Sequence, residues 1–204
     1  FLENISSSAH IGYDFLKRGM DIVGSLCLGI VSFVFYPFVF CAIKLDDWGS
    51  VFIAQNRIGK DGKTIKLYKF RSMSRNEIDL NSGKTNKITR VGAFLRKTRI
   101  DELPQLWNVF CGDLSLIGPR PELPSGVAIY EREIPYYNIR HLIKPGLSGW
   151  AQLYHNQHPH HGVDTEETRN KLSYDLFYLK NRSFILDMVI TLKTIKTLIS
   201  RTGS

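Results

Sequence analysis

Between Ile22 and Ile43 no residue carries a charge. The run reads I-V-G-S-L-C-L-G-I-V-S-F-V-F-Y-P-F-V-F-C-A-I, and it reaches the roughly 20 apolar residues that a helix needs to cross a bilayer. No small-residue cleavage site follows it, and a long basic region does, which excludes a signal peptide. Two features oppose a straight span. Pro37 lies inside the run and predicts a kink. Lys17 and Arg18 precede the run, while Lys44 and Arg57 follow it. A spanning helix puts one of these groups on the outer side, against the positive-inside tendency. A helix that enters, breaks at Pro37 and returns keeps both groups on one face. The charges alone leave both arrangements open.

The rest of the chain divides around that run. Residues 1–13 read as a polar, Ser-rich lead-in, 14–48 as a membrane segment and 49–204 as one globular domain, expected on the cytoplasmic face. A chain that opens on Phe1 is expected to lack its natural start and to follow a larger upstream region. A net charge of +8 and a pI near 9.4 call for an anionic partner such as nucleic acid, nucleotide or a membrane face. No basic-aromatic recognition module is visible, so nucleic acid is not expected. Three cysteines form no disulfide framework and suit a reducing compartment.

The hydropathy pattern predicts an α+β fold, mostly helical. Val51 to Asn56 and Thr64 to Phe70 read as strands around the turn Gly59-Lys60-Asp61-Gly62, a small antiparallel hairpin that delivers Lys69 and Arg71. Residues 75–87 read as a mobile loop. Thr89 to Thr98 reads as a basic amphipathic helix, suited to a membrane surface or to the core. Pro124 to His141 reads as a helix and loop whose Tyr130, Tyr136 and Tyr137 could form an interfacial belt. Lys144-Pro145-Gly146 reads as a tight turn leading to Trp150. Glu166 to Lys180 and Phe184 to Ser200 are helical, the former with Leu172, Leu176 and Leu179 on one stripe. His155, His158, His160 and His161 cluster, but no acid or cysteine is interleaved at ligand spacing, so an exposed polar loop is favoured over a metal site.

The chemically pointed stretch is Arg96 to Glu122, R-K-T-R-I-D-E-L-P-Q-L-W-N-V-F-C-G-D-L-S-L-I-G-P-R-P-E. Leu103, Leu106, Trp107 and Phe110 recur at helical spacing. Pro104 is tolerated only in a first turn, which places Asp101 and Glu102 at the helix start. There the dipole, with Arg96, Lys97 and Arg99 upstream, favours an ionised carboxylate. Such an acid suits a nucleophile or a metal ligand; it equally suits a plain helix cap. Arg120 stands between two prolines that stiffen the backbone, an arrangement suited to clamping phosphate.

These blocks occur in one order: K-R-G-M-D at 17–21, Y-K-F-R-S-M at 68–73, L-R-K-T-R-I-D-E-L-P-Q-L-W-N-V at 95–109, G-D-L-S-L-I-G-P-R-P-E at 112–122, K-P-G-L-S-G-W-A-Q at 144–152 and Y-D-L-F-Y-L-K-N at 174–181. In them the chain resembles the bacterial sugar transferase family, the monotopic phosphoglycosyl transferases, from about Tyr13 to its end. The resemblance implies a re-entrant helix broken near Pro37, although Tyr36 stands where the family commonly has Ser. It implies transfer of a sugar-1-phosphate from a UDP-sugar to a polyprenol phosphate in the inner membrane, with release of UMP. It assigns Asp101 as nucleophile and Glu102 as its catalytic partner, with Asp101 and Glu102 as the carboxylates that hold Mg²⁺. Lys69, Arg96, Arg120 and Asp175 are then substrate-binding residues. Membrane lipid is an expected partner, and a homodimer is left open. Two other readings remain: a metal-dependent glycosyltransferase releasing UDP, and a non-catalytic basic protein bound to the membrane.

Overall fold

The computed structural model describes residues 11–46, 48–74, 88–154 and 164–200. The expected loop at 75–87, the histidine cluster at 155–161 and most of the lead-in lie outside these residues. The described part is α+β and mostly helical. In chain order it contains α1 (Ile11–Phe33), α2 (Tyr36–Asp46), β1 (Phe52–Ile58), β2 (Thr64–Phe70), α3 (Arg90–Lys97), a 3-10 turn (Ile100–Glu102) and α4 (Gln105–Cys111). There follow β3 (Ser115–Ile117), α5 (Pro124–Glu133), a second 3-10 stretch (Tyr137–Leu142), β4 (Gly146–Ser148), α6 (Trp150–Tyr154), α7 (Thr165–Asn181) and α8 (Phe184–Ile199).

The apolar run forms two arms, α1 and α2, bent by 58°. The break falls at Val34 and Phe35, just ahead of the expected Pro37. Pro37 instead occupies the first turn of α2, where its missing N–H removes no helix bond. Phe35 N donates to Ser32 O at 2.9 Å, closing the end of α1. The arms are packed along one side, and Tyr36 at the bend rests on Phe70 with ring centroids 4.9 Å apart. On α2, Val39 and Ile43 bury against Phe70 and Leu95. On α1, Asp21 accepts from Ser115 Oγ at 3.0 Å and from Leu116 N at 2.9 Å. Other side chains towards the bend lie open, with Ile30, Phe33, Val34 and Phe38 between 65 and 72% exposed.

The block K-R-G-M-D is a joint between arm and body. Lys17 pairs with Asp187 of α8 at 2.7 Å. Arg18 donates to the carbonyls of Val109 and Phe110, both at 2.8 Å, satisfying groups that the C-terminus of α4 leaves without partners.

β1 and β2 pair antiparallel from Phe52↔Phe70 to Ile58↔Thr64, the expected hairpin, with β1 running on past Asn56 to Ile58. β3 and β4 form a short parallel pair, where the sequence suggested only a turn at Lys144 to Gly146. That pairing explains two glycines. A Cβ on Gly146 would lie 2.1 Å from Gly118 N, and one on Gly118 would lie 2.6 Å from Lys144 O. Tyr130 and Tyr137 are buried in a cluster with Val127, Ile134 and Leu172 rather than forming a surface belt; only Tyr136 of the three is exposed. Leu172 and Leu179 of α7 are buried as the stripe predicts.

Candidate active site

Asp101 and Glu102 end a 3-10 turn that Arg99 opens in the left-handed conformation, φ 59°. A non-glycine residue there is sterically costly, on the order of 1 kcal/mol, and the reversal turns both carboxylates inward. α4 follows only after Leu103 and Pro104, so the acids precede the helix by a turn instead of starting it. The predicted apolar stripe also divides. Leu106 is buried, but Trp107 is 61% exposed and stacks on Phe110 at 5.7 Å outside the core. The inner face of α4 carries Val109 and Asn108 instead.

Asn108 is the residue that locks the site to the hairpin. Its Oδ1 accepts from Tyr68 N at 3.1 Å and its Nδ2 donates to Lys66 O at 2.8 Å. The amide thus serves β2 as a neighbouring strand would, and it sets Lys69 opposite Glu102. On the other side, Ile58 N donates to Glu122 O at 3.0 Å. This joins the Pro-Arg-Pro stretch to the end of β1 and brings Arg120 to the same carboxylate.

Glu102 is the centre of the cluster. Lys69, Arg99 and Arg120 each stand 3.6 Å from its carboxylate oxygens. Burial pushes its carboxyl up, but Arg120, Lys69 and Arg99 together outweigh burial and hold it below the usual range. Asp101 is treated differently by the same surroundings. It is buried, and burial, then the charge of Glu102, raises its carboxyl to about 6 against the pull of Lys69, Arg96 and Arg99. The expected cationic stabilisation of Asp101 is present but loses to desolvation. The carboxyl is still mostly ionised at neutral pH. Burial, with help from Arg120, lowers Lys69 despite Glu102.

Lys69, Arg120, Asp101 and Glu102 are therefore brought together, and Arg96 acts on Asp101 from the exposed end of α3. Asp175 is not brought to this cluster. It is 2% exposed and bound to Arg140 at 2.7 Å. Arg140 in turn donates to Arg120 O at 2.9 Å and to Tyr137 Oη at 2.8 Å. Asp175 thus reaches the site only through the residue that holds the Arg120 backbone. Glu122 sits beside Arg140 at 3.8 Å and pairs closely with Lys171.

Sequence reasoning did not single out Arg57, Gln105, Asn108, Arg140, Glu122 or Lys171 in these roles. Gln105 and Arg57 line the small cleft at Glu102. Gln105 is buried, and its Nε2 has no hydrogen-bond partner among the described residues. That donor and the cations around Glu102 suit a ligand with several acceptor oxygens. No group of three or more metal-ligating side chains occurs among the described residues. The adjacent pair Asp101 and Glu102 fits a hard divalent cation that takes one or two carboxylates and completes its shell with phosphate and water. The mutual repulsion that raises Asp101 is what such a cation would relieve.

A family model described as bacterial sugar transferase matches residues 12–201. The chain is 43% identical over 199 residues to an N-acetylgalactosaminephosphotransferase of Aeromonas hydrophila that acts from UDP-N-acetylgalactosamine on undecaprenyl phosphate; the match covers 94% of this chain and 45% of that protein. It is 40% identical over 195 residues to an exopolysaccharide production protein of Rhizobium leguminosarum bv. phaseoli, covering 91% of this chain and 96% of the relative. It is 39% identical over 188 residues to the UDP-glucose:undecaprenyl-phosphate glucose-1-phosphate transferase of Escherichia coli K12, covering 88% and 39%. The chain thus spans less than half the length of the Aeromonas and Escherichia relatives and nearly all of the Rhizobium one.

Proposed function

The chain belongs to the bacterial sugar transferase family, and from that membership we propose that it moves a sugar-1-phosphate from a UDP-sugar to undecaprenyl phosphate, releasing UMP. The observation that carries the reading is the pairing of two adjacent carboxylates with opposite settings. Glu102 is held ionised by three cations, while Asp101 is buried and titrates near 6. A desolvated, ionised carboxylate is an activated nucleophile.

In the proposed reaction an oxygen of Asp101 attacks the β-phosphorus of the UDP-sugar. The bond from that phosphorus to the oxygen bridging the two phosphates breaks, and UMP leaves with the electron pair. The phosphate oxygen of undecaprenyl phosphate then attacks the same phosphorus, the bond to Asp101 breaks, and the carboxylate is restored. Lys69, Arg99 and Arg120 can turn from Glu102 to the diphosphate, where Arg120 offers a planar two-pronged contact. Gln105 Nε2 is placed to donate to a phosphate oxygen. Asp101 and Glu102 would hold Mg²⁺, which when bound offsets diphosphate charge. Asp175 positions Arg120 through Arg140.

The acceptor is a membrane lipid, and the exposed apolar arms suit a re-entrant insertion. Both feet are docked on the body, Ile30, Phe33, Val34 and Phe38 near the bend are open, and basic residues flank both ends. Phe94 and Trp107, 60 and 61% exposed, lie on the helices beside the feet and suit the interface. These features support a location on the cytoplasmic face of the inner membrane, where glycan assembly such as exopolysaccharide synthesis begins.

The test is incubation of the protein in detergent with UDP-sugar labelled in the β-phosphate and no lipid. Protein-bound label with stoichiometric UMP is expected, and label is chased to product by undecaprenyl phosphate. Release of UDP, or turnover without protein-bound label, refutes the covalent route. A panel of UDP-sugars in the same assay identifies the donor.

A further inference from the structure

The proposed reaction leaves one charged cavity unused. It measures about 230 Å³ and lies by Gly112, at the opposite end of α4 from Asp101. Its walls are the start of α1, the tip of the β1–β2 hairpin at Lys60, the chain at Leu142 to Lys144, and the end of α7. Five cations line it: Lys17, Arg18, Lys60, Lys144 and Arg182.

Its two carboxylates are already engaged. Asp14 pairs with Arg182 at 3.0 Å, and Asp21 accepts from Ser115 and Leu116. Lys17 is neutralised by Asp187. The partners of Arg18 are backbone carbonyls, which carry no formal charge. The side chains of Lys60 and Lys144 have no hydrogen bond or ion pair among the described residues. The sharpest feature is over Gly112, where Arg18 Nη2 and Lys144 Nζ both lie 3.2 Å from the place a Cβ would take. Two like charges are thus held side by side. Burial and then Arg18 lower Lys144, and neither Asp21 nor Asp113 restores it. Such a pair becomes favourable when both donors share one anion.

We propose that this cavity binds a phosphate group, held by Lys144, Arg18 and Lys60. The volume lies below the roughly 300–1,000 Å³ of pockets for small molecules, so a single phosphate suits it better than a nucleotide sugar. The source that the placement favours is the headgroup of an anionic phospholipid. Lys17 and Arg18 stand about one turn before the apolar run begins at Ile22, so in the membrane arrangement proposed above the cavity opens at headgroup level. The choice of source rests on that arrangement; the phosphate site does not. The cavity would fix the depth of α1 from the side away from the carboxylates.

The experiment uses the whole chain in neutral detergent and a Lys60→Gln/Lys144→Gln variant, which removes side chains without structural partners. Lys63→Gln/Lys66→Gln, exposed on the same hairpin, is the control for charge alone. In one arm, partition into phosphatidylcholine vesicles is compared with and without phosphatidylglycerol. In the other, inorganic phosphate is added against chloride of equal ionic strength and Tm is read. The preference for phosphatidylglycerol should fall about tenfold in the first variant and stay near wild type in the control. If vesicle partition is unchanged but phosphate raises Tm of wild type and not of the Lys60/Lys144 variant, the site stands and its source is soluble phosphate. Wild-type behaviour of that variant in both arms, or equal loss in the control, overturns the proposal. Neither arm reads UMP release, so the site and the proposed function fail separately.

Discussion

Two clusters of acids and cations lie on either side of Arg120, and they differ in how tightly they are closed. In the cluster of Arg140, Asp175, Glu122, Lys171 and Tyr137, the key contacts are short. Arg140 meets Asp175 at 2.7 Å, and both are at most 3% exposed. Burial pushes Glu122 up, but Lys171 and Arg140 overcome it and bring it down to about 2. Arg140 stays charged because Asp175, Tyr137 and Glu122 outweigh its burial. Burial raises Asp175, and the guanidinium opposes this; since that guanidinium cannot deprotonate, the pair stands as an ion pair. In the cluster of Glu102 the three contacts are all 3.6 Å. The cations there approach one carboxylate together without a close bond to it, and Asp101 beside them has its carboxyl raised. The first arrangement has little left to offer a ligand. The second can exchange its partners for phosphate oxygens with small loss.

The largest expected effect separates the two clusters by function. Asp101→Asn should lower transfer by at least about 10³-fold, roughly 4 kcal/mol in the barrier, and abolish protein-bound label. Glu102→Gln should slow turnover while label still forms. An Asn variant that turns over near the wild-type rate would remove the distinction. In the tight cluster the expected loss is of stability. Asp175→Asn keeps the shape but takes from buried Arg140 its closest charge partner, leaving Glu122 at 3.8 Å, which costs up to about 3–5 kcal/mol. Thermal unfolding in detergent should show Tm lower by roughly 10 °C. Unchanged Tm with lost activity would instead move Asp175 into the group of substrate-binding residues.

A smaller effect tests the loose cluster from its other side. Arg120→Lys retains a charge but loses the planar fork. It should lower kcat/KM by about 10- to 100-fold, roughly 1.4–2.7 kcal/mol, with Tm near wild type because the Arg120 link to Arg140 is through its backbone carbonyl. A matching fall in Tm would show that the side chain serves the scaffold.

Why one cluster was legible in the chain and the other was not follows from how each is built. Asp101, Glu102, Lys69 and Arg120 lie in short blocks with turn-forming residues, and local pattern finds such blocks. The hairpin and the long helices were legible for the same reason, since periodicity is a local property. Arg140 and Lys171 lie in ordinary helical surroundings, and their meaning comes from contacts 35 and 49 residues away in the chain. Asn108 lies off the predicted stripe of Leu103, Leu106, Trp107 and Phe110, and nothing local says that its amide will pair with β2. Trp107 and Phe110 misled for a related reason: periodicity marks an apolar face but not whether the core of the protein covers it. The parallel pairing of β3 and β4 joins two blocks about 30 residues apart, each too short to show alternation.

An effect of similar size gives the comparison a sign. Burial and then Glu102 raise Asp101 to about 6 from an ordinary value of 3.8, so the folded protein binds this proton more tightly than the unfolded chain. The stabilisation from the protonated form is full below about pH 4 and is lost as pH rises through 6. Above that point the ionised carboxylate costs stability, on the order of 2–3 kcal/mol for a shift of about two units. Asp101→Asn escapes that cost. With EDTA present to remove divalent cations, the variant should melt higher than wild type at pH 8, and the gap should close between pH 6 and 4. His141 titrates in the opposite sense. Burial and then Arg140 lower it to about 4, so its contribution is lost as pH falls from about 6.5. Both proteins carry it, and it cancels in the difference. Asp175 differs although burial raises its carboxyl too: it is the closest partner of a buried guanidinium that cannot discharge, so Asp175→Asn should lower Tm at pH 8. If the Asp101 difference were flat with pH, or had the sign of the Asp175 difference, Asp101 would be a satisfied structural acid and the contrast between the clusters would fail. A carboxylate kept ionised against its surroundings is stabilised by whatever discharges it, and bond formation to phosphorus does so.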